Sequence, residues 1–261
     1  MVGAVGADEF GPPLLKGMQA DGIDISGVQV VEGQTTGVAV ILVEQSKGEN
    51  RILLNPGANY KLQPEDFLST EALGTPKPDL IIMQLEIPLP TVLQILKTAK
   101  EADVDVLFNP APAVELPLDV YGAITHLVVN ESEAAILTGR KVGEVEEVGF
   151  DWNLVTDEFL RRGVKNIIVT LGSKGAFYSH EGKGKGAFVP AEKVEKVVDT
   201  TAAGDTWVGA YAVSIVRRMG DPDRFVREED VRLACRAAGR TVEKKGAQSA
   251  IPWEDEVDRK I

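Results

Sequence analysis

The stretch DTTAAGDTWVGA, residues 199–210, places two aspartates around a run of small residues. Gly204 lets the backbone turn sharply and come close to a ligand. From about Asp205 the apolar residues recur at helical spacing, and the run ends in basic residues and a glycine at 217–220. The Ala-Ala-Gly peptide groups therefore lie at a helix N-terminus. Free N–H groups and the helix dipole favour an anion such as a polyphosphate there.

Asp205 would lie beside that anion. A carboxylate in this position can accept a proton from an attacking hydroxyl while the N–H groups hold a transferred phosphoryl group. The alternative is that Asp205 is a plain N-cap residue of the helix.

Strand-like and helical segments alternate around this stretch. The predicted strands are residues 80–83, 104–108, 126–129 and 166–171, and the predicted helices are residues 90–102, 131–137 and 151–162. Alternation of this kind predicts βαβ units and an α/β fold with a mostly parallel sheet covered on both faces. Right-handed crossovers place the carboxyl ends of the strands along one edge, where ligands bind in such folds.

Two segments depart from this alternation. Residues 38–43 and 51–54 are strand-like and are joined by the polar SKGEN, which predicts a hairpin. The hairpin is either a flap over a site or an antiparallel edge of the main sheet. The glycines at 183–186 lie between two further strand-like runs, 176–179 and 187–189, so they predict a hairpin turn rather than a phosphate loop.

Three more groups of residues follow predicted strands. The run TLGSKG suits a nucleotide-binding turn, although glycines are also common where one strand turns into the next. Asn130 and Glu133 open a helix, either as phosphate and Mg²⁺ ligands or as a capping box. Glu86 is either a group that binds hydroxyls or a solvated loop charge.

Composition limits the class of function. The chain has 261 residues and a formal net charge of −12, which argues against nucleic acid or an anionic membrane as the main partner. A single cysteine, Cys235, indicates a reducing compartment, and we expect the cytoplasm, or the nucleus in a eukaryote. The two histidines are far apart, which argues against a zinc site or a His-based triad. The first residues do not have the pattern of a signal peptide.

In this order, the pieces resemble the PfkB family of carbohydrate kinases, also called the ribokinase family. The resemblance runs from VGAVGADEFG at the start to KGAQSAIPW at 245–253, and DTTAAGDTWVGA resembles the C-terminal signature of the family. It implies one three-layer α/β/α domain over residues 1–261, with residues 36–55 in a small β lid. It also implies ATP-dependent phosphorylation of D-ribose to D-ribose 5-phosphate, and a homodimer formed through the lid.

The resemblance also implies roles for individual residues. Asp205 matches the catalytic base, Ala203 and Gly204 match the anion hole, and Glu86 matches a sugar-binding carboxylate. Asn130 matches a phosphate ligand and Glu133 a Mg²⁺ ligand. The ATP-binding turn matches Thr170, Leu171, Gly172, Ser173, Lys174 and Gly175, and Cys235 falls where the family contacts adenine. The K⁺ positions match Asp199, Thr201, Thr241, Lys244, Gly246 and Ala250, the last being usually a serine in the family.

The start of the chain departs from the family pattern. The short sugar-binding motif and the Gly-Gly-Lys-Gly loop of the family have no counterpart, so we expect an N-terminal truncation of a βαβ unit, roughly 30 residues. This departure keeps two alternatives open: a nucleotide-binding remnant without catalysis, and a related kinase with another acceptor, such as a nucleoside or fructose.

Overall fold

Strands and helices alternate along most of the chain, as the apolar pattern predicts. The computed structural model describes residues 1–43, 50–221 and 224–258, and for 41–43 and 50–52 it describes the backbone alone. Contacts among the residues divide the chain into two units. One unit is Met1–Pro78 with Leu85–Ala102, and the other is Asp79–Gln84 with Asp103–Ile261.

The first unit contains two strand pairs. Strands β1 (Val2–Gly6) and β2 (Gly27–Val31) pair in parallel and are connected through helix α1 (Gly11–Ala20). Strands β3 (Val38–Val43) and β4 (Asn50–Asn55) pair in the antiparallel direction. The other elements are helix α2 (Leu89–Glu101) and the short 3-10 helices Gly57–Lys61, Pro64–Phe67 and Thr70–Leu73.

The pairing of β3 with β4 confirms the predicted hairpin strands. Val38 lies opposite Asn55 and Val43 opposite Asn50, while the joining residues 44–49 lie outside the described residues. Within the described ranges these two strands pair only with each other. The alternative of an antiparallel edge of the main sheet is therefore wrong, and the assignment of residues 36–55 to a lid stays a prediction.

The second unit is built on a six-stranded sheet in which the strands lie in the order of the sequence. The strands are β5 (Leu80–Met83), β6 (Asp105–Phe108), β7 (His126–Asn130), β8 (Asn166–Thr170), β9 (Gly175–His180) and β10 (Ala187–Pro190). Strands β5 to β8 are parallel, and β9 and β10 are antiparallel to their neighbours. The predicted turn at 183–186 connects β9 to β10 and is confirmed.

Helices cover both faces of this sheet. They are α3 (Glu131–Thr138), α4 (Val142–Val145), α5 (Asn153–Arg161), α6 (Ala203–Arg217), α7 (Glu228–Thr241) and α8 (Glu254–Val257). Short 3-10 helices are Leu118–Ala123, Gly172–Lys174 and Gln248–Ala250. Leu107, Val128 and Ile168 pack against α6 and α7 in one buried cluster. Because side chains alternate along a strand, Leu127 and Ile167 are buried on the opposite face, and α3 and α5 contact the strands β7 and β8.

This architecture confirms the predicted α/β class with its mostly parallel sheet. The predicted end of α3 is also correct, since Gly139 has φ of 68° and Arg140 N–H donates to Ala135 O at 2.9 Å. Glycine tolerates this left-handed conformation, which stops a helix. In the described part of the chain, the helices are too short or too polar to cross a lipid bilayer.

Candidate active site

Two of the predicted site segments begin side by side at one edge of the sheet. Asn130 and Thr170 are the last residues of the parallel strands β7 and β8 and are opposite each other in the pairing register. The segment that opens α3 and the turn that follows β8 are therefore neighbours at the carboxyl edge. An ion pair links them, because Lys174 Nζ lies 2.8 Å from Glu131 Oε1.

Residues 224–226, which precede α7, lie at the opposite edge of the sheet, and the guanidinium of Arg218, just after α6, donates to Phe225 O at 3.3 Å. Asn166, the first residue of β8, accepts a hydrogen bond from Val226 N–H at 2.8 Å through Oδ1. Asp105, the first residue of β6, pairs with Arg224 at 2.9 Å. Helix α6 therefore ends near the strand starts, and its N-terminus points toward the carboxyl edge.

The dimensions of helix and strand agree with this direction. Tyr211 Oη in α6 is 2.8 Å from Nδ1 of His126, the first residue of β7. Ala203 is eight residues before Tyr211, or about 12 Å along a helix. Asn130 is four residues after His126, or roughly 13 Å along a strand. The start of α6 is thus at the level of the carboxyl edge, together with the segments after β7 and β8.

The turn that begins α6 leaves two amide donors free. Ala202 precedes the helix in the left-handed conformation, with φ of 61°. Ala203 N–H makes a long hydrogen bond of 3.3 Å to Thr200 O. In the described part of the chain, the Gly204 and Asp205 N–H groups make no hydrogen bond to a protein acceptor. These two groups, rather than the predicted Ala203 and Gly204 pair, are the free donors at this end of the helix.

Asp205 is the third residue of α6 and is exposed. The helix begins two residues earlier than the predicted start, and Ala202 occupies the N-cap position. The alternative that Asp205 is the N-cap is therefore wrong. An exposed carboxylate beside two free N–H groups suits a site where an anion binds and a neighbouring hydroxyl loses its proton.

Asn130 and Glu133 form the capping box that the sequence left as an alternative. Asn130 Oδ1 accepts from Glu133 N–H at 2.8 Å, and Glu133 Oε2 accepts from Asn130 N–H at 2.8 Å. Burial raises the pKa of the Glu133 carboxyl, and the hydrogen bond from the Asn130 backbone opposes this shift. Glu133 Oε1 has no hydrogen-bond partner among the described residues. This oxygen remains available to a ligand or to water.

The predicted nucleotide-binding turn reverses the chain directly from β8 into β9. Leu171 N–H donates to Gly175 O at 2.8 Å, and Lys174 N–H donates to Leu171 O at 3.1 Å. Gly175 has φ of 124°, and a Cβ added there would lie 2.1 Å from Val189 O. Only glycine fits this position. The strand–turn–strand geometry is therefore a structural requirement, and a role in nucleotide binding stays a prediction.

Asp199 connects two segments that the K⁺ assignment had grouped together. Its Oδ1 accepts from Thr201 N–H at 3.0 Å and from Thr201 Oγ1 at 2.7 Å, and its Oδ2 accepts from Gly246 N–H at 3.1 Å. Hydrogen bonds from the Thr201 side chain, the Thr201 backbone and the Gly246 backbone lower the pKa of Asp199 to about 2. Val198 N–H also donates to Val242 O at 2.7 Å. The structure thus brings the 199–201 and 242–246 segments together.

The other three residues predicted to bind K⁺, Thr241, Lys244 and Ala250, differ in their surroundings. Lys244 Nζ pairs with Glu256 at 2.9 Å, and Ala250 is fully buried. Thr241, the last residue of α7, is also fully buried. Its hydroxyl lies 2.8 Å from that of Thr206 in α6, a contact that no periodicity in the sequence indicates because the two residues are 35 positions apart.

Two further site residues, Cys235 and Glu86, were predicted from the sequence. The Cys235 thiol faces the core, where it accepts a hydrogen bond from Trp207 Nε1 at 3.4 Å and where burial raises the pKa of the thiol. A contact of Cys235 with adenine stays a prediction. Glu86 is exposed, follows β5 by three residues and belongs to the first unit. Its role toward sugar hydroxyls also stays a prediction.

Comparison with known proteins places this arrangement in a family. The family model described as pfkB family carbohydrate kinase matches residues 1–254. The ribokinase of Schizosaccharomyces pombe is 42% identical to this chain over 259 residues, which are 99% of this chain and 78% of that protein.

Solved structures show the same similarity. The ribokinase of Thermotoga maritima has a TM-score of 0.80 and 33% identity, over 98% of this chain and 79% of that one. The ribokinase of Arabidopsis thaliana, complexed with ribose and ATP, has a TM-score of 0.81 and 30% identity, again over 98% and 79% of the two chains.

Proposed function

Because this chain belongs to the pfkB family of carbohydrate kinases, we propose that it transfers the γ-phosphoryl group of ATP to D-ribose. The products are ADP and D-ribose 5-phosphate. The acceptor is proposed from the similarity to ribokinases, including the Arabidopsis thaliana ribokinase complexed with ribose and ATP.

One structural observation supports this proposal above the others. The exposed Asp205 carboxylate lies in the first turn of α6, beside the free N–H groups of Gly204 and Asp205 itself. A phosphoryl group carries its charge on its outer oxygens, and its transfer is promoted chiefly by positioning and by donors aimed at that charge. The same turn therefore supplies both the anion site and a base.

The steps assigned to protein groups follow from this arrangement. Asp205 accepts the proton of the attacking sugar hydroxyl. The amide groups of the α6 turn hold the oxygens of the γ-phosphoryl group during in-line transfer. Asn130 and the β8–β9 turn, which are adjacent at the carboxyl edge, bind the remainder of the nucleotide. Glu86 binds hydroxyls of the sugar.

Mg²⁺ fits the residues at this edge. The described residues contain no group of three or more His, Cys, Asp or Glu side chains placed to hold a metal ion. Mg²⁺ commonly binds through one or two carboxylates together with substrate phosphates and water. The free Oε1 of Glu133 suits a water-mediated contact to such an ion. When bound, Mg²⁺ neutralises charge on the phosphates.

K⁺ also fits, through the two segments that Asp199 connects. The proposed positions are Asp199, Thr201, Thr241, Lys244, Gly246 and Ala250, most of them acting through backbone oxygens. Asp199 supplies a negative charge where two loops meet, which favours a cation. When bound, K⁺ stabilises these loops beside the α6 turn. Replacing K⁺ by Na⁺ at equal ionic strength should lower turnover.

The test is ADP release from ATP and Mg²⁺ in K⁺ buffer, with and without D-ribose. We expect release that depends on ribose and that falls about 10²–10⁴-fold in Asp205→Asn. The matched control is Asp119→Asn, an exposed carboxylate on the connection that leads to the start of β7, and it should leave turnover unchanged. A folded chain that releases no ribose-dependent ADP would contradict the proposal.

The same assay separates the alternatives. Turnover with fructose or a nucleoside in place of ribose would keep the chemistry and change the acceptor. ATP binding, measured by calorimetry, without turnover on any acceptor would support a nucleotide-binding protein that is not a catalyst.

A further inference from the structure

A line of hydroxyl groups lies beneath the turn that begins α6. Thr206 Oγ1 is 2.9 Å from Ala202 O, and Thr241 Oγ1 is 2.8 Å from Thr206 Oγ1. Thr206 is 5% exposed and Thr241 is fully buried. Water has little access to these groups, so each must find its partner within the protein.

The direction of the hydrogen bonds follows from the single hydrogen of each hydroxyl together with the distances, because Thr206 is closer to Ala202 O than Thr241 is to Ala237 O. A carbonyl oxygen only accepts, so Thr206 donates its single hydroxyl hydrogen to Ala202 O. Thr241 must then be the donor in the contact between the two hydroxyls. Its other neighbour, Ala237 O, is more distant at 3.3 Å. The sequence of donors is therefore Thr241 to Thr206 to Ala202.

Ala202 is the residue of this turn whose conformation is least favourable. Its φ of 61° is uncommon for a residue other than glycine, and such conformations persist only where the surroundings enforce them. Its carbonyl accepts two hydrogen bonds from Thr206, one from the backbone N–H at 2.9 Å and one from the hydroxyl. Because the peptide group is planar, holding this carbonyl also fixes the plane that leads into Ala203.

We propose that Thr206 and Thr241 are positioning residues for phosphoryl transfer, and that their hydroxyl relay holds the Ala202 turn so that the Gly204 and Asp205 N–H groups are aimed at the transferred group. The inference rests on the proposed function. It assigns the relay an indirect role, since neither hydroxyl contacts the substrate.

The relay also reaches the segment after α7. Thr241 is the last residue of that helix, and Val242 O, the next carbonyl, accepts from Val198 N–H at 2.7 Å. A displacement of the 242–246 segment therefore reaches the α6 turn by two routes, one through the backbone at Val198 and one through the hydroxyls. Small errors in the position of oxyanion donors cause large losses of rate.

Helix α5 offers a matched control. Thr156 is fully buried, and its hydroxyl lies 3.2 Å from Trp152 O, the carbonyl of the N-cap residue of that helix. The contact has the same spacing as that of Thr206 with Ala202. Trp152, however, has an ordinary helical φ of −63°, and its helix contacts β8 and β9. Thr156→Val removes a comparable hydroxyl without the relay.

The experiment compares kcat and KM of Thr206→Val, Thr241→Val and the double variant. We expect Thr206→Val to lower kcat about tenfold and Thr241→Val about threefold, with KM for ribose unchanged. The Thr241 hydroxyl, which is all that Thr241→Val removes, acts on the turn through Thr206, so the double variant should match Thr206→Val alone. Serine at either position should restore kcat, and Thr156→Val should change only the melting temperature.

A second measurement separates this inference from the proposed function. The amide resonances of Gly204 and Asp205 are followed by NMR during titration with ATP in the absence of sugar. In one outcome, ATP shifts these resonances in the wild type, the shifts are smaller in Thr206→Val, and neither protein shows turnover. This outcome would contradict the proposed kinase function and support the relay. Variants that keep both wild-type kcat and wild-type shifts would overturn the relay, as would a wild type without turnover or shifts.

Discussion

Asp199 and Gly246 are 47 positions apart, and the carboxylate of the first accepts the N–H of the second at 3.1 Å. Gly246 has φ of 119°, and a Cβ added there would lie 2.5 Å from Ser249 Oγ. The N–H is therefore presented to Asp199 by a backbone conformation that favours glycine. A hydrogen bond to a charged acceptor thus connects the segment that precedes α6 with the segment that follows α7.

We expect the stabilising effect of this hydrogen bond to depend on pH. The pKa of Asp199 is lowered in the folded protein to about 2, so its stabilising effect is complete above the ordinary aspartate value near 4 and is lost as pH falls toward 2. Asp199→Asn should be less stable than the wild type at pH 7. Urea unfolding should show this difference shrinking between pH 4 and pH 2. A difference that is constant over that interval would contradict the expectation.

Asn130→Ala should destabilise the protein by about 1 kcal/mol, because it removes the side chain that caps α3 at the carboxyl edge. Asn130→Asp keeps an acceptor for the Glu133 N–H and should recover most of that loss. Equilibrium urea denaturation of the two variants measures the difference. Equal stability of the alanine variant and the wild type would show that the capping box contributes nothing.

Gly175→Ala should destabilise the protein by about 3 kcal/mol, the sum of a left-handed φ and a clash with Val189 O. Gly143→Ala is the matched control, because a Cβ there meets nothing within 4 Å and its φ is not in the positive range. The control should be neutral or slightly stabilising. Thermal unfolding of both variants tests this difference in stability. Similar melting temperatures for the two variants would show that a Cβ at position 175 does not clash with Val189 O.

Tyr211→Phe should destabilise the protein by about 1–3 kcal/mol, because it removes the partner of a buried imidazole. His126 is fully buried, and burial lowers its pKa to about 4, so the ring is neutral at pH 7. Its Nε2 already has no partner among the described residues. Tyr60→Phe, on an exposed tyrosine, should change nothing. The unfolding free energies of the two variants test this prediction, and equal values would contradict it.

Much of the fold could be predicted because the spacing of apolar residues along the sequence indicates which face of each helix or strand is buried. The predicted strands at 38–43 and 80–83 have the observed ends, and the glycine at 139 stops α3 as expected. The start of α6 could not be predicted to the residue. Ala202 adopts a conformation that its own side chain disfavours, and the contacts that impose it come from elsewhere in the fold.

The candidate site was predicted in part for the same reason. Asp205, Asn130 and Glu133 are recognisable because a helix start leaves a local pattern of polar and small residues. The contact of Thr206 with Thr241 leaves no such pattern. It exists because α6 and α7 pack in opposite directions, with Val226, just before α7, at the start of β8.

The order of strands in the six-stranded sheet has a consequence for synthesis on the ribosome. Each strand from β6 to β10 pairs with the strand made immediately before it, so the sheet can grow at one edge as the chain emerges. Contacts between segments close in sequence form quickly. Helices α6 and α7 emerge after all six strands and pack against one face of the sheet. The turn at Ala202 therefore acquires its complete set of hydrogen bonds only late in assembly, after Thr241 has been synthesised.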